Sequence, residues 1–152
     1  MRIRPYRSRD WLRLCEIHDQ ARVDELRYAN LSEAFLSLEQ TAEGEGLFDG
    51  KVAVAEISGQ VEGFVAFTDT ELTWLYVDPA SYRQGIGRAL LRLAIKSADG
   101  VLSTEVLVGN DAALRLYLAE GFVVERRADG KLAGNERFDA SGYLLKRTPD
   151  EA

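Results

Sequence analysis

The sequence predicts a mixed α/β protein, and three observations lead there. Short runs rich in β-branched and aromatic residues alternate with longer stretches of helical period. Ser58-Gly59 separates two of those runs by two residues, the spacing of a tight hairpin. Gly85 and Gly87 then join the end of another apolar run to a well-patterned helix. At 152 residues the chain suits one domain over 1–152, long enough to bury roughly two thirds of its unfolded surface.

Taken in order, Ile3–Tyr6 reads as a first short strand. Ser8 stands where it can cap a helix whose apolar positions are Trp11, Leu12, Cys15, Ala21 and Leu26. Ser32 is placed to cap a second helix, with Leu31 and Leu36 spaced as a hydrophobic staple. Ala42–Gly50, with its three glycines and three acidic residues, reads as a mobile loop. Lys51–Ile57 and Val61–Thr68 are the hairpin strands, and Glu71–Val77 follows antiparallel through the turn at Asp69-Thr70. A helix over 86–98, a strand at Val101–Val108 and a helix at Asp111–Glu120 come next. Phe122–Ala128 and Phe138–Lys146 are the closing strands, joined by a loop at Asp129–Asn135. The sum is six to seven strands and about four helices.

Composition excludes several functions. A net charge of -6 leaves no basic stripe to displace phosphate counterions, so nucleic acid is not the expected partner. No run approaches the ~18 apolar residues of a membrane span, and Met1-Arg2-Ile3-Arg4-Pro5 lacks the apolar stretch of a signal peptide. The lone Cys15 has no partner for an internal disulfide, which suits a reducing cytoplasm, and its place on the helix stripe argues for packing. His18, the only histidine, excludes a multi-histidine metal site and reads as helix surface. Trp11 and Trp74 read as core or rim aromatics.

The most informative stretch is Tyr82-Arg83-Gln84-Gly85-Ile86-Gly87-Arg88-Ala89. It carries a chain from a strand, through Asp78-Pro79, into a helix. Amide groups at such a helix start are unpaired and sit at the positive end of the dipole, which is where phosphate binds. A dinucleotide fingerprint is excluded because Leu90 stands where its third glycine belongs. A P-loop is excluded because Gly50-Lys51 is followed by Val52. Gly85 and Gly87 alone would fit any tight strand-to-helix turn.

The flanking residues decide between these readings. The stretch resembles the pyrophosphate loop of the GNAT superfamily of N-acyltransferases, Gln/Arg-x-x-Gly-x-Gly/Ala after a strand ending Val-x-Pro. Val77-Asp78-Pro79 supplies that ending, and Tyr82 replaces the Gln/Arg. A second signature, Asn110, Ala113, Tyr117, Gly121 and Phe122, is similar to the family's acyl-CoA helix and its exit. Asn110, Ala113 and Tyr117 share one helix stripe, and Gly121 suits the left-handed exit. The resemblance covers Glu71 to Phe122.

The resemblance implies an α+β fold with a mostly antiparallel sheet and one parallel, splayed central strand pair. It implies acetyl-CoA as cosubstrate, with no metal. Leu75, Tyr76 and Val77 would offer main-chain contacts to pantetheine. Arg83, Gln84, Gly85, Ile86, Gly87, Arg88 and Ala89 would cradle the diphosphate, and Asn110, Ala113 and Tyr117 would approach from the other wall. Strand alternation places Glu71 with Thr73, Leu75 and Val77 on one face. Glu71 matches the family's base or water organiser, and Tyr117 its general acid toward the leaving thiolate. Asp24, Glu25 and Tyr28 read first as a solvated acidic cluster and second as a lure for a cationic amine.

The expected function is acetyl transfer to a primary amine by direct attack in a ternary complex. The acceptor is a small molecule, a peptide N-terminus or a lysine side chain, and the acidic charge favours a cationic one. A catalytically silent acyl-CoA sensor is the alternative. Edge pairing would allow a homodimer, and nothing requires it over a monomer.

Overall fold

The computed structural model describes residues 1–150. Its elements are β1 (Arg2–Pro5), α1 (Trp11–Tyr28), α2 (Leu38–Thr41), β2 (Lys51–Ile57), β3 (Gln60–Phe67), β4 (Leu72–Val77), α3 (Ile86–Ser97), β5 (Leu102–Leu107), α4 (Asp111–Ala119), β6 (Val123–Lys131) and β7 (Asp139–Arg147). Short 3₁₀ turns at Ser8–Asp10, Ser32–Ala34 and Pro79–Ser81 join some of them. The architecture is α+β, with antiparallel sheets ordered β1-β2-β3-β4 and β5-β7-β6.

The first sheet is buried on both faces, which is why its strands read as continuous apolar runs rather than alternating ones. Ala53, Ala55, Val65, Phe67 and Leu72 pack with Leu90 and Leu91 of α3. Val54, Phe64, Ala66 and Trp74 pack on the other side with Leu14 and Ile17 of α1. The hairpin at Ser58-Gly59 forms as expected, with left-handed φ at both residues, the requirement of a type I′ turn.

Several sequence expectations need correction. Ser8 does not cap α1: Asp10 accepts from the Arg7 amide at 2.8 Å. Asp10 is held there by the buried Arg4 guanidinium, at 2.8 and 2.9 Å. That anchor sets the helix phase so that Leu14 and Ile17 face inward, whereas Leu12 is 81% exposed. Ala21 and Leu26 are buried as expected. His18 is buried too, not on the surface. Ser32 starts only a 3₁₀ turn; Ser37 caps α2 through a capping box with Gln40. The 42–50 segment is turned back onto the core, with Leu47 buried and its amide donating to the Ala42 carbonyl. β6 runs on to Lys131, so the connection to β7 begins at Leu132, whose side chain is buried.

Among the described residues the two sheets share one backbone bridge, a parallel one between Glu71 and Ser103. The Ser103 amide donates to the Thr70 carbonyl there at 2.9 Å. Beyond that bridge β4 and β5 diverge, and the β4 edge facing β5 has no strand partner. Backbone groups on such an edge are open to an added chain.

Candidate active site

The divergence opens a cleft of about 1230 Å³ between β4 and β5, roofed by α1, the start of α3 and α4. It brings together nearly every residue expected to act: Glu71, Leu75, Tyr76, Val77, Arg83, Gly85, Ile86, Gly87, Arg88, Asn110, Ala113 and Tyr117 all line it. Gln84 and Ala89 belong to the same turn without lining the cleft.

The glycine turn is built from backbone conformation. Gly85 is the residue before α3 and has φ +78°, and no side chain caps the helix. Arg83 also takes a left-handed φ, +68°, which costs a non-glycine residue roughly 1–2 kcal/mol. The first intrahelical bond is from the Ala89 amide to the Gly85 carbonyl at 3.1 Å. The amides of Ile86, Gly87 and Arg88 therefore point ahead of the helix, an arrangement that fits an anion. Asp78 fixes the approach: one carboxylate oxygen accepts from the Ala80 amide at 2.9 Å, and the other from Arg13 of α1 at 2.6 Å. Arg88 is paired with Glu120 at 2.9 Å, so its charge is directed at α4 rather than free beside the turn. Tyr82, in the Gln/Arg position, sends its hydroxyl to Asp24 at 3.4 Å.

On the opposite wall Asn110 is the N-cap of α4, its side chain accepting from the Ala113 amide at 3.4 Å. Tyr117, two turns on, is buried and stacks edge-on with Phe122 at 5.2 Å. Gly121 takes the left-handed φ expected at the helix exit. Burial pushes the Tyr117 phenol well above its ordinary range, while contact with Thr104 pulls the other way and the nearby Glu25 charge adds to the rise. The phenol is accordingly neutral, the form that donates a proton.

Glu71 is exposed at the mouth where the sheets part. The expected alternation along β4 is broken. The register slips opposite Ala66/Phe67, so Leu72 joins Leu75 and Val77 on the α3 side while Trp74 and Tyr76 face α1. Glu71 thus does not continue the Leu75/Val77 face.

Sequence reasoning named Asp24, Glu25 and Tyr28 on α1 but read them first as a solvated cluster; all three line the cleft. Glu25 is not a solvated member of an acidic cluster. It accepts from the Tyr76 hydroxyl at 2.8 Å, pairs with Arg22, and faces the Asn110 amide at 3.5 Å. His18 packs edge-on against the Tyr76 ring at 4.9 Å and contacts Asp19 at 2.9 Å. A close approach makes this wall: at Gly109, φ +108°, a Cβ would collide with the Tyr28 carbonyl oxygen. Only glycine lets the end of α1 lie against the start of α4. Glu105 of β5, its carboxylate resting against Gly142, also lines the cleft and had no signal in the sequence. Cys15 is half-buried against the α1 core, its thiol pushed up by burial, as packing rather than chemistry requires. Among the described residues no group of acidic, histidine or cysteine side chains is arranged to hold a metal, and no helix is long and apolar enough to cross a membrane.

The profile of the acetyltransferase (GNAT) domain matches residues 48–124, half of the chain. The chain belongs to the GNAT acetyltransferase family. Over 80 residues it is 41% identical to the N-alpha-acetyltransferase RimI of Mycobacterium tuberculosis. That match takes in 51% of this chain and 48% of the relative, so it spans about half the length of the relative. The fold is shared with solved GNAT structures at lower identity. A GCN5-related N-acetyltransferase from Rhodopseudomonas palustris superposes with a TM-score of 0.78 at 17% identity, covering 97% of this chain and 95% of that one. The ribosomal-protein-alanine N-acetyltransferase of Brucella melitensis gives 0.75 at 24%, covering 98% and 100%. An acetyltransferase from Salmonella typhimurium, solved with its cofactor acetyl-CoA, gives 0.68 at 23%, covering 100% and 95%. The family profile ends at residue 124 and begins at residue 48, leaving α1 and β7 outside it.

Proposed function

We propose that this GNAT family member transfers an acetyl group from acetyl-CoA to a primary amine, both substrates being bound together. The observation that carries the reading is Tyr117. It is a neutral, buried phenol at the point where β4 and β5 part, in one cleft with a helix start preset for an anion. The amides of Ile86, Gly87 and Arg88 receive the diphosphate, with Gly85 setting their direction and Arg83 adding charge. Leu75, Tyr76 and Val77 pair their main chain with the pantetheine arm, and Asn110 and Ala113 border it.

An aliphatic amine is mostly protonated at pH 7, with a pKa of about 10.4 for a lysine-like group, so a proton must leave before attack. Glu71 takes it, directly or through water. The amine nitrogen bonds to the thioester carbonyl carbon, and the carbon–sulfur bond breaks. Tyr117 delivers its proton to the departing sulfur; the second proton that the nitrogen sheds on becoming an amide restores the phenol through water, and the first leaves Glu71 for solvent. Such transfers are worth on the order of 10²–10⁴-fold each.

The identity with RimI, an N-alpha-acetyltransferase, supports a peptide or protein amine as the acceptor. The test is release of free thiol from acetyl-CoA with peptide N-termini, lysine side chains and small amines in turn. Turnover with one class establishes the reaction. Binding of acetyl-CoA without turnover of any amine would leave a sensor instead. A chain that binds neither CoA nor its acetyl ester has neither role.

A further inference from the structure

We infer that Arg13 of α1 is a positioning residue for the diphosphate turn: it fixes the chain that enters the turn and neutralises the two carboxylates to which that chain is bonded. The inference rests on the acyl-transfer reading above and names what sets its anion site from outside.

The segment Asp78–Ser81 leads into the turn, and two acids hold it. Asp78 Oδ1 accepts from the Ala80 amide at 2.9 Å, and the Ser81 hydroxyl donates to Glu62 Oε2 at 2.8 Å. The Asp78 amide donates to the Glu62 carbonyl, also at 2.8 Å. Arg13 spans both acids. Its Nη2 donates to Asp78 Oδ2 at 2.6 Å and reaches Glu62 Oε2 at 3.2 Å. Its Nε donates to the Val61 carbonyl at 2.7 Å, and Nη1 pairs with Glu16. The guanidinium is thus engaged along its whole fork, a geometry that a lysine ammonium does not reproduce. The side chains concerned are largely enclosed, Arg13 at 17%, Glu62 at 15% and Asp78 at 11% exposed, so removing the arginine leaves two acids unpaired.

The other end of the turn is fixed by close packing. At Gly63 of β3 a Cβ would lie 3.0 Å from the Ile86 side chain and 3.2 Å from that of Leu90, so the start of α3 rests directly on the strand. The freedom of the turn is left at its entry, the end that Arg13 holds. Between the two fixed ends Arg83 keeps its left-handed φ of +68°, a strain that persists only where the surrounding structure imposes it. Charge adds to geometry. Burial raises the Asp78 carboxyl, yet the Ala80 amide and Arg13 bring it below its ordinary value, so the group is ionised. Without the guanidinium, Asp78 and Glu62 are bare negative charges beside a site meant for an anion, and partly desolvated charges are screened less than exposed ones.

The experiment compares CoA with pantetheine, which keeps the thiol-bearing arm and lacks the diphosphate. Binding of both is measured by calorimetry for wild type and Arg13→Gln. Thiol release is followed from acetyl-CoA and from S-acetylpantetheine, with the amine that wild type acetylates fastest. The Gln variant should weaken CoA about 10- to 100-fold and raise the KM for acetyl-CoA alike. It should leave pantetheine, and kcat at saturating acetyl-CoA, within about 2-fold, which damage to the fold at large would not do. Arg13→Lys, which restores charge without the fork, should recover part of the loss. Arg13→Gln/Glu62→Gln, which removes one stranded charge and keeps an acceptor for Ser81, should also recover part, and these two variants carry the test if Arg13→Gln does not fold. Equal losses on CoA and pantetheine, no loss on CoA, or no recovery in either companion variant overturns the proposal. Arg13-dependent binding of CoA without acetylation of any amine would overturn the acyl-transfer reading while this inference stands. A wild type that binds CoA no better than pantetheine has no anion site at the turn, and both readings then fall.

Discussion

The Thr104 hydroxyl donates to the Leu72 carbonyl at 3.0 Å, from β5 across to β4, next to the point where the sheets separate. Thr104 is buried and also touches the Tyr117 phenol, so this contact ties the seam to the candidate acid. Thr104→Val keeps the shape and removes the tie. It should lower unfolding free energy by about 1–2 kcal/mol in urea titrations, because a buried carbonyl loses a partner. Acetyl-CoA affinity should fall with it in calorimetry.

Tyr117→Phe keeps the stacking on Phe122 and removes only the hydroxyl. Turnover should fall on the order of 10²–10⁴-fold with acetyl-CoA affinity unchanged. The raised phenol pKa adds a second expectation. In wild type no loss of rate from Tyr117 ionisation should appear up to about pH 10, the ordinary tyrosine value. A thiol-release profile against pH checks both.

His18 carries a pH prediction for stability. Burial lowers its folded pKa below the ordinary 6.5, with Arg22 adding to the drop and Asp19 and Glu25 opposing it. The unfolded chain therefore binds the proton more readily. The stability His18 contributes is complete above 6.5 and is lost as pH falls below it, toward the lowered folded value. Asp10 and Asp78, also lowered in the fold, act in the same direction but only below about 3.8. The melting temperature of wild type should drop between pH 7.5 and 5.5, and His18→Gln should flatten that slope whatever it does to the absolute value.

Two glycines should respond differently to alanine. Gly85→Ala meets nothing within 4 Å and suffers only its left-handed φ, roughly 1–2 kcal/mol. Gly109→Ala has the same backbone strain and also collides with the Tyr28 carbonyl oxygen, so its loss in thermal unfolding should exceed that of Gly85→Ala.

The glycine turn and the α4 wall of the cleft were legible in the chain because their geometry is local. A preset helix start needs glycine at a left-handed position, and Asn110, Ala113 and Tyr117 align through helix geometry alone. The α1 side was not legible. Which face of α1 turns inward is set by Arg4 gripping Asp10, and that pair looks in sequence like two ordinary surface charges. Leu12 pointed outward and His18 inward for that reason. Glu25 gained its meaning only from Tyr76 and Asn110, contacts spanning 51 and 85 positions. The break in β4 at Thr73, where the ladder slips, left no mark in the residue pattern either.

The sheet is parted along its middle beyond a seam closed by the Glu71–Ser103 bridge and the Thr104–Leu72 bond. The bare stretch from Thr73 to Val77 is a backbone seat that a ligand's own amides can fill, and filling it would convert two leaves into one continuous surface. Backbone protons along Leu102–Leu107 and Leu72–Val77 should then exchange with solvent more slowly once coenzyme A is bound, so that the substrate completes the protein that acts on it.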